Sequence, residues 1–365
     1  MTSPRFGLSL STPNLNGRGS QLVAFRRSRA WHPSITANYR LRSTTTRSGN
    51  IPRSDEHREP DARRWTSTAR ERIPIGSVPH VSDATNNSNN AQADYWTNEG
   101  GPSWVRHERR YERMLQPFDD ALIGALRPVS GDRILEIGCG FGATSIALAA
   151  SGAAVHGVDI APPMIGRARE RVQGTAEQIT FAVADAQEVD LGGPYDTAVS
   201  RFGVMFFADP VRAFTNIAAS VRSGGNLAFV CWQSLDRNPW LGLPIEVLRS
   251  FTGAPAGPAA LAPGAPNPLA FADPAHTEDI LRRSGWTGIE FEPVEPLLSI
   301  GGDDGINGAV ELALNGSSVK ALLEGDNGTL RAQVADALTE RFAEFVTGDT
   351  VLMQSSAWLV TARRG

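Results

Sequence analysis

Three acidic residues of this chain are placed to hold a ligand. Glu136 lies two residues before a glycine-spaced turn, Gly138-Cys139-Gly140-Phe141-Gly142, while Asp159 and Asp185 each close a short apolar run, 154–158 and 179–184. Glycine carries no Cβ, so such a turn brings backbone close to a ligand and takes dihedrals other residues avoid. A carboxylate 21 positions after Gly138 can accept hydrogen bonds from a ribose diol. Two strands, a glycine turn and an acid make a mononucleotide-binding half. Gly138-x-Gly140-x-x-Ala143 also satisfies the loose dinucleotide fingerprint. Glu136 argues against that reading, because it stands inside the first strand where a dinucleotide site carries apolar residues.

The elements that must position these groups follow from pattern and punctuation. A helix is predicted from Tyr111 to Leu126, with apolar residues at Met114, Leu115, Phe118, Leu122 and Leu126. A strand from Arg133 leads into the glycine turn, and a helix from Ala143 to Ala150 is stopped by Gly152. Pro162-Pro163 opens a helix to about Val172, since proline is tolerated in a first turn. Strands follow at 179–184 and 195–200. Asp209 is a candidate N-cap for a helix to about Val221, ahead of a fifth strand from Asn226 to Trp232. Five alternations with short connections predict an α/β fold, a doubly wound parallel sheet with helices on both faces. Beyond it come a helix at 239–251, a Pro/Ala/Gly-rich loop at 252–274, a helix at 276–284 and a strand at 286–294. A mostly helical stretch at 305–345, broken near Gly316 and Gly325, precedes a last strand at 357–362.

Four ordered segments carry a family resemblance: Glu136-Ile-Gly-Cys-Gly-Phe-Gly142, Val158-Asp159, Ala184-Asp185-Ala186 and Val221-Arg-Ser-Gly-Gly-Asn-Leu-Ala228. Together they resemble class I S-adenosylmethionine-dependent methyltransferases, in the small-molecule branch that includes ubiquinone/menaquinone-biosynthesis enzymes. The resemblance spans roughly Tyr95 to Arg363. It implies a Rossmann-like sheet of seven strands with the last antiparallel, S-adenosyl-L-methionine as cofactor, and methyl transfer by in-line displacement to carbon or oxygen of a small, partly apolar acceptor.

The resemblance also assigns residues. The turn of Gly138, Cys139, Gly140 and Gly142 would cradle the amino-acid part of the cofactor, and Glu136 would meet its amino group; the alternative is a buried acid paired with Arg133. Asp159 would hold the ribose, or else cap the Pro162 helix. Ile160 would line the adenine, Asp185 would accept from its exocyclic amine and the Ala186 backbone would support the ring; Asp185 could instead be a solvated turn residue. Ser200, Arg201 and Phe202 follow the fourth strand, where the reactive methyl would lie, and Phe202 could equally be packing. Arg201, facing the cofactor carboxylate or an anionic substrate, and His276 are the weak catalytic candidates. Tyr95, Trp96 and Trp104 would form a lid or a core plug, and Met164 reads as core. Two rivals stand beside this reading, an NAD(P)-dependent oxidoreductase and a non-catalytic S-adenosylmethionine-binding protein.

Bulk properties bound the rest. Residues 1–82 hold 14 arginines against five acids, +9, whereas residues 83–365 hold 21 basic against 34 acidic residues, −13. The larger part therefore lacks the clustered positive charge that nucleic-acid binding needs. No apolar run approaches the ~18 residues of a membrane span, so no stable membrane insertion is expected. Two cysteines form neither a disulfide framework nor a zinc cage, and six histidines show no metal-ligand spacing. A reduced, cytoplasmic protein with a small-molecule substrate and no metal is the expectation. Residues 1–90 read as an Arg/Ser-rich extension, disordered or spurious, with the true start nearer Val78 or Val81; a targeting segment and a basic tail are the alternatives. Residues 91–365 read as the methyltransferase domain, with insertions at about 252–275 and 303–348.

Overall fold

The computed structural model describes residues 89–174, 178–253, 266–323 and 325–365. The expected extension lies outside the described residues up to position 88, and so do residues 254–265 of the expected loop. All described residues belong to one unit, Pro79–Gly365.

The sheet has seven strands. β1 (Arg133–Ile137), β2 (Ala154–Asp159), β3 (Ile179–Val183), β4 (Tyr195–Arg201), β5 (Val221–Trp232), β6 (Trp286–Val294) and β10 (Ala357–Arg364) lie in the order β3-β2-β1-β4-β5-β10-β6. Strands β1 to β5 pair in parallel, and β10 runs antiparallel to both β5 and β6. The last strand is thus inserted antiparallel, as expected. β1 sits at the centre of the parallel part and is buried from Ile134 onward, which its continuous apolar run requires of a strand covered on both faces. Chain order reverses between β1 and β4. In open α/β sheets such a reversal leaves a crevice beyond the carboxyl ends of the two strands.

The helices cover this sheet. α3 (Glu108–Leu126) packs on β4 and β5 and buries Met114, Leu115, Phe118 and Leu122. α4 (Ala143–Ala149) and α5 (Pro162–Val172) pack on β2 and β3; α6 (Pro210–Ser220), whose N-terminus is capped by Asp209, packs on β5. α8 (Pro274–Arg283) lies on β6 and α6.

Two regions exceed the expectation. α1 (Asn90–Tyr95), a π-helical turn at Trp96–Gly100 and α2 (Gly101–Arg106) form ahead of α3. In the C-terminal half, β7 (Leu297–Ser299), β8 (Val346–Thr347) and β9 (Thr350–Gln354) make a second sheet in the order β7-β9-β8. Its β9 packs on α9 (Gly305–Asn315) and α7 (Pro239–Thr252), and α10 (Ser317–Leu322) and α11 (Thr329–Ala343) pack on those two helices. β7 and β8, of three and two residues, are too short to show alternation, and β9 is a sequence signal that the reading misses, so only the helical part of this region was legible.

Candidate functional site

The site begins where the loops after β1 and β4 touch. Gly138 has φ 65°, and a Cβ there would stand 2.7 Å from Gly203 Cα; a Cβ on Gly203 would meet Gly138 Cα and the Ile137 carbonyl, each at 2.8 Å. Only glycine at both positions lets the two backbones close to this distance. Asp159, at the end of β2, ties the turn down from the other side. Its Oδ2 accepts from Gly140 N at 2.8 Å and its Oδ1 from Ala161 N at 2.9 Å. It does not cap α5, whose N-cap position is Ala161. Two of its roughly four lone-pair sites are used, and burial raises its pKa against the pull of those backbone N–H groups.

Glu136 is 1% exposed. The Ser145 hydroxyl donates to it, and Arg133 is not its partner: that guanidinium donates to the Pro194 carbonyl at 2.8 Å and lies over the Tyr195 ring. Burial pushes the Glu136 carboxyl up to about 8, opposed by the Ser145 hydrogen bond and by the charge of Arg201. Arg201 is itself anchored, its Nη1 donating to Asp119 Oδ2 at 2.9 Å, while Thr144 Oγ1 donates to Asp119 Oδ1 at 2.7 Å. Asp119 is a site residue that the motifs of the sequence do not point to. Its signal is a charge on the apolar stripe of α3, four residues after Leu115 and three before Leu122.

At the end of β3, Asp185 is no solvated turn residue. Its Oδ1 accepts from Gln187 N at 2.9 Å and from Asn89 Nδ2 at 3.3 Å, and its Oδ2 is buried without a partner among the described residues. A buried carboxylate oxygen in that state is costly unless a ligand donates to it.

These strand ends converge on one cavity of about 300 Å³. Glu136, Gly138, Cys139, Gly140, Asp159, Ile160, Asp185, Ala186, Arg201 and Phe202 all line it. Phe202, at φ 60°, stacks on Trp232 with ring centroids 4.0 Å apart. Tyr95, Trp96 and Trp104 line it as well, with Trp96 edge-on to Phe206 at 5.3 Å. Met164, read as core, is buried in the hydrophobic core and also touches the cavity. Past Trp232 the lining becomes a mostly apolar arm made by α7, α9, Val319 of α10 and Phe342 of α11, with Asn315 as a polar member.

Three expected residues lie elsewhere. Ser200 is fully buried, and its hydroxyl staples β4 to β1, donating to the Ile137 carbonyl at 2.8 Å and accepting from Gly203 N at 3.2 Å. Strand alternation explains this, since Arg201 faces the cavity and its neighbour must face away. Gly142 sits behind the turn at φ 80°, in the N-cap position of α4. His276 is on α8, away from the cavity lining, with a buried Nε2 that has no hydrogen-bond partner among the described residues. Among the described residues no cluster of His, Cys, Asp and Glu could hold a metal ion, and no helix is long and apolar enough to cross a membrane.

Comparison with known proteins finds likenesses to methyltransferases. A family model described as a methyltransferase domain matches residues 134–225, from β1 into β5. Aklanonic acid methyltransferase DauC of Streptomyces sp. (strain C5) is 34% identical over 128 residues, 34% of this chain and 58% of that protein. Ubiquinone biosynthesis O-methyltransferase of Bordetella avium (strain 197N) is 28% identical over 193 residues, 51% of this chain and 76% of that protein. Among solved structures, magnesium protoporphyrin IX methyltransferase of Synechocystis PCC 6803 with bound SAH is 17% identical, covering 76% of this chain and all of that one at a TM-score of 0.45. The chain spans about half the length of the first curated relatives it matches, 58% and 44% of theirs. Over residues 134–225 it matches a methyltransferase domain.

Proposed function

We propose that this methyltransferase domain moves the methyl group of S-adenosyl-L-methionine to a small acceptor with an apolar body. When bound, that molecule supplies a methyl group on a sulfonium centre, and the reactivity is its own. The chain's task is to grip, align and exclude water.

The residues present fit the donor. Glu136 would face its ammonium group and return to the ionised form beside that cation. Asp159 keeps lone pairs for a ribose diol while its other contacts hold the glycine turn in shape. Asp185 Oδ2 would accept from the adenine amine, with Ile160 and the Ala186 backbone against the ring. The single observation that carries this reading is the unpartnered Asp185 Oδ2, buried in the cavity on which the ends of β1, β2 and β3 converge. The acceptor would occupy the arm beyond Phe202 and Trp232, whose aromatic and aliphatic walls suit an apolar body and keep water out.

Calorimetric titration with S-adenosylhomocysteine and, separately, with NADH tests the reading. Saturable binding of the first, weakened at least tenfold by Asp159→Ala, with none of the second, is expected. Binding of NADH in preference would sink it. Transfer of labelled methyl to a panel of quinols, phenols, carboxylic acids and lipid extracts, with Asp159→Ala as blank, then tests turnover; the rival of a cofactor-binding protein without transfer predicts none.

A further inference from the structure

The acceptor's chemical class is narrowed by where the ionisable groups of the cavity lie. Glu136, Asp159 and Asp185 line the end made by β1, β2 and β3. The arm beyond Trp232, walled by residues such as Trp240, Ile245, Leu312 and Val319, carries no Asp, Glu, His, Lys or Cys among the described residues. Residues 254–265, which precede Pro268 and Leu269 of the wall, contain only Ala, Pro, Gly and Leu.

The groups at the junction are ill suited to removing a proton. Burial pushes the Tyr111 phenol up to about 12 and raises the Cys139 thiol well above its ordinary range. Burial raises the Tyr95 phenol too. The carboxylate of Asp119 is taken up by Arg201 and Thr144. Glu136 is held by Ser145, within reach of the Arg201 charge, and the proposed function gives it the donor's ammonium group as partner. One cation lines the cavity among the described residues, Arg201. Its hydrogen bond to Asp119 uses Nη1 alone, and a guanidinium has five N–H donors, so it retains donors for an anion.

We propose that the acceptor is an acid with an apolar body whose nucleophilic oxygen or carbon is already anionic at neutral pH, a carboxylate or the enolate of a 1,3-dicarbonyl, and that Arg201 holds that anion. This rests on the function proposed above. The acceptor anion gives its electron pair to the methyl carbon as the carbon–sulfur pair returns to sulfur. The anion and the sulfonium both become neutral, and no proton has to leave. Because opposite charges cancel along this path, apolar walls do not oppose it, and they strengthen the attraction that brings the two together. A neutral alcohol or phenol would instead have to shed a proton in an arm that offers no acceptor for it.

Binding to the cofactor-free protein tests this. 2-Naphthoate and its neutral counterpart 2-naphthamide are titrated at pH 7.5 against tryptophan emission, with S-adenosylhomocysteine titrated in parallel. Naphthoate is expected to bind at least tenfold more tightly than naphthamide. Arg201→Gln should erase that margin and Arg201→Lys keep part of it. The pair Asp119→Asn with Arg201→Gln, which leaves neither buried charge alone, should erase it too. Equal affinity of the two probes, or a margin that survives in the double variant, overturns the proposal. A loss confined to S-adenosylhomocysteine affinity does so as well, because Arg201 then serves the donor's carboxylate. With the donor saturating at every pH, so that its own binding contributes no limb, the acid limb of kcat/KM for phenol, 4-nitrophenol and pentafluorophenol should move with the acidity of each acceptor. A limb at one pH for all three, lost in Glu136→Gln, makes Glu136 the base and overturns it. If S-adenosylhomocysteine does not bind at all, the function itself fails; if it binds and the probes are not distinguished, only the acceptor class fails.

Discussion

The ammonium contact proposed for the buried Glu136 makes donor affinity depend on pH, by an amount that follows from its surroundings. From α3, Asp119 raises its pKa; from β4, Arg201 lowers it; from α4, the Ser145 and Thr144 hydroxyls lower it; burial outweighs all of them and sets it to about 8 in the empty protein. Below that value the carboxyl is protonated, and a neutral acid has no charge to offer an ammonium ion. A ligand that needs the carboxylate must therefore displace a proton, and its dissociation constant scales as 1 + 10^(pKa − pH). That factor is about 2 at pH 8 and about 100 at pH 6, so S-adenosylhomocysteine should bind about 50-fold more weakly at pH 6. The sign is fixed: affinity falls as pH falls, because the empty protein holds the extra proton. Isothermal calorimetry in two buffers of different ionisation enthalpy should also show close to one proton released per ligand at pH 6 and about half at pH 8. Glu136→Gln should bind weakly and without this slope. A slope unchanged in that variant, or proton uptake instead of release, would refute the assignment of the ammonium group to Glu136.

Other perturbations read different parts of the site. Gly203→Ala places a Cβ 2.8 Å from Gly138 Cα, so the β1 and β4 loops must part; a stability loss of roughly 1–3 kcal/mol in urea melts should accompany loss of S-adenosylhomocysteine binding. Asp185→Asn exchanges an acceptor for a donor at the position proposed to meet the adenine amine. Affinity for S-adenosylhomocysteine should fall at least tenfold, whereas S-inosylhomocysteine, whose ring presents an oxygen there, should bind the variant better than the parent. Asp119→Ala leaves the Arg201 guanidinium buried without its counter-ion, and denaturant unfolding should show a loss of about 3–5 kcal/mol. Asp119→Asn, still able to accept a hydrogen bond, should lose less.

What could be read from sequence is what the chain specifies locally. The glycine turn, the acids ending β2 and β3 and the proline-led helices each declare themselves within a few residues, and the sheet topology then sends those strand ends to one crevice. Asp119 and the apolar arm are different in kind. Asp119 lies 82 positions from Arg201, and the arm depends on α7, α9 and α11 packing together although α7 is separated from the other two by more than fifty residues. The displaced residues follow from the same distinction. Ser200 was grouped with Arg201 by proximity, when the two-residue period of a strand already assigns them opposite faces. His276 follows a loop whose length leaves its direction open, so a histidine at a helix start said nothing about the cavity. Hence the proposed donor half of the pocket is set by residues adjacent in sequence, and the proposed acceptor half by packing between distant segments. Substitutions in α7, α9 and α11 should therefore change which acceptor is taken while leaving the grip on the donor to the ends of β1, β2 and β3.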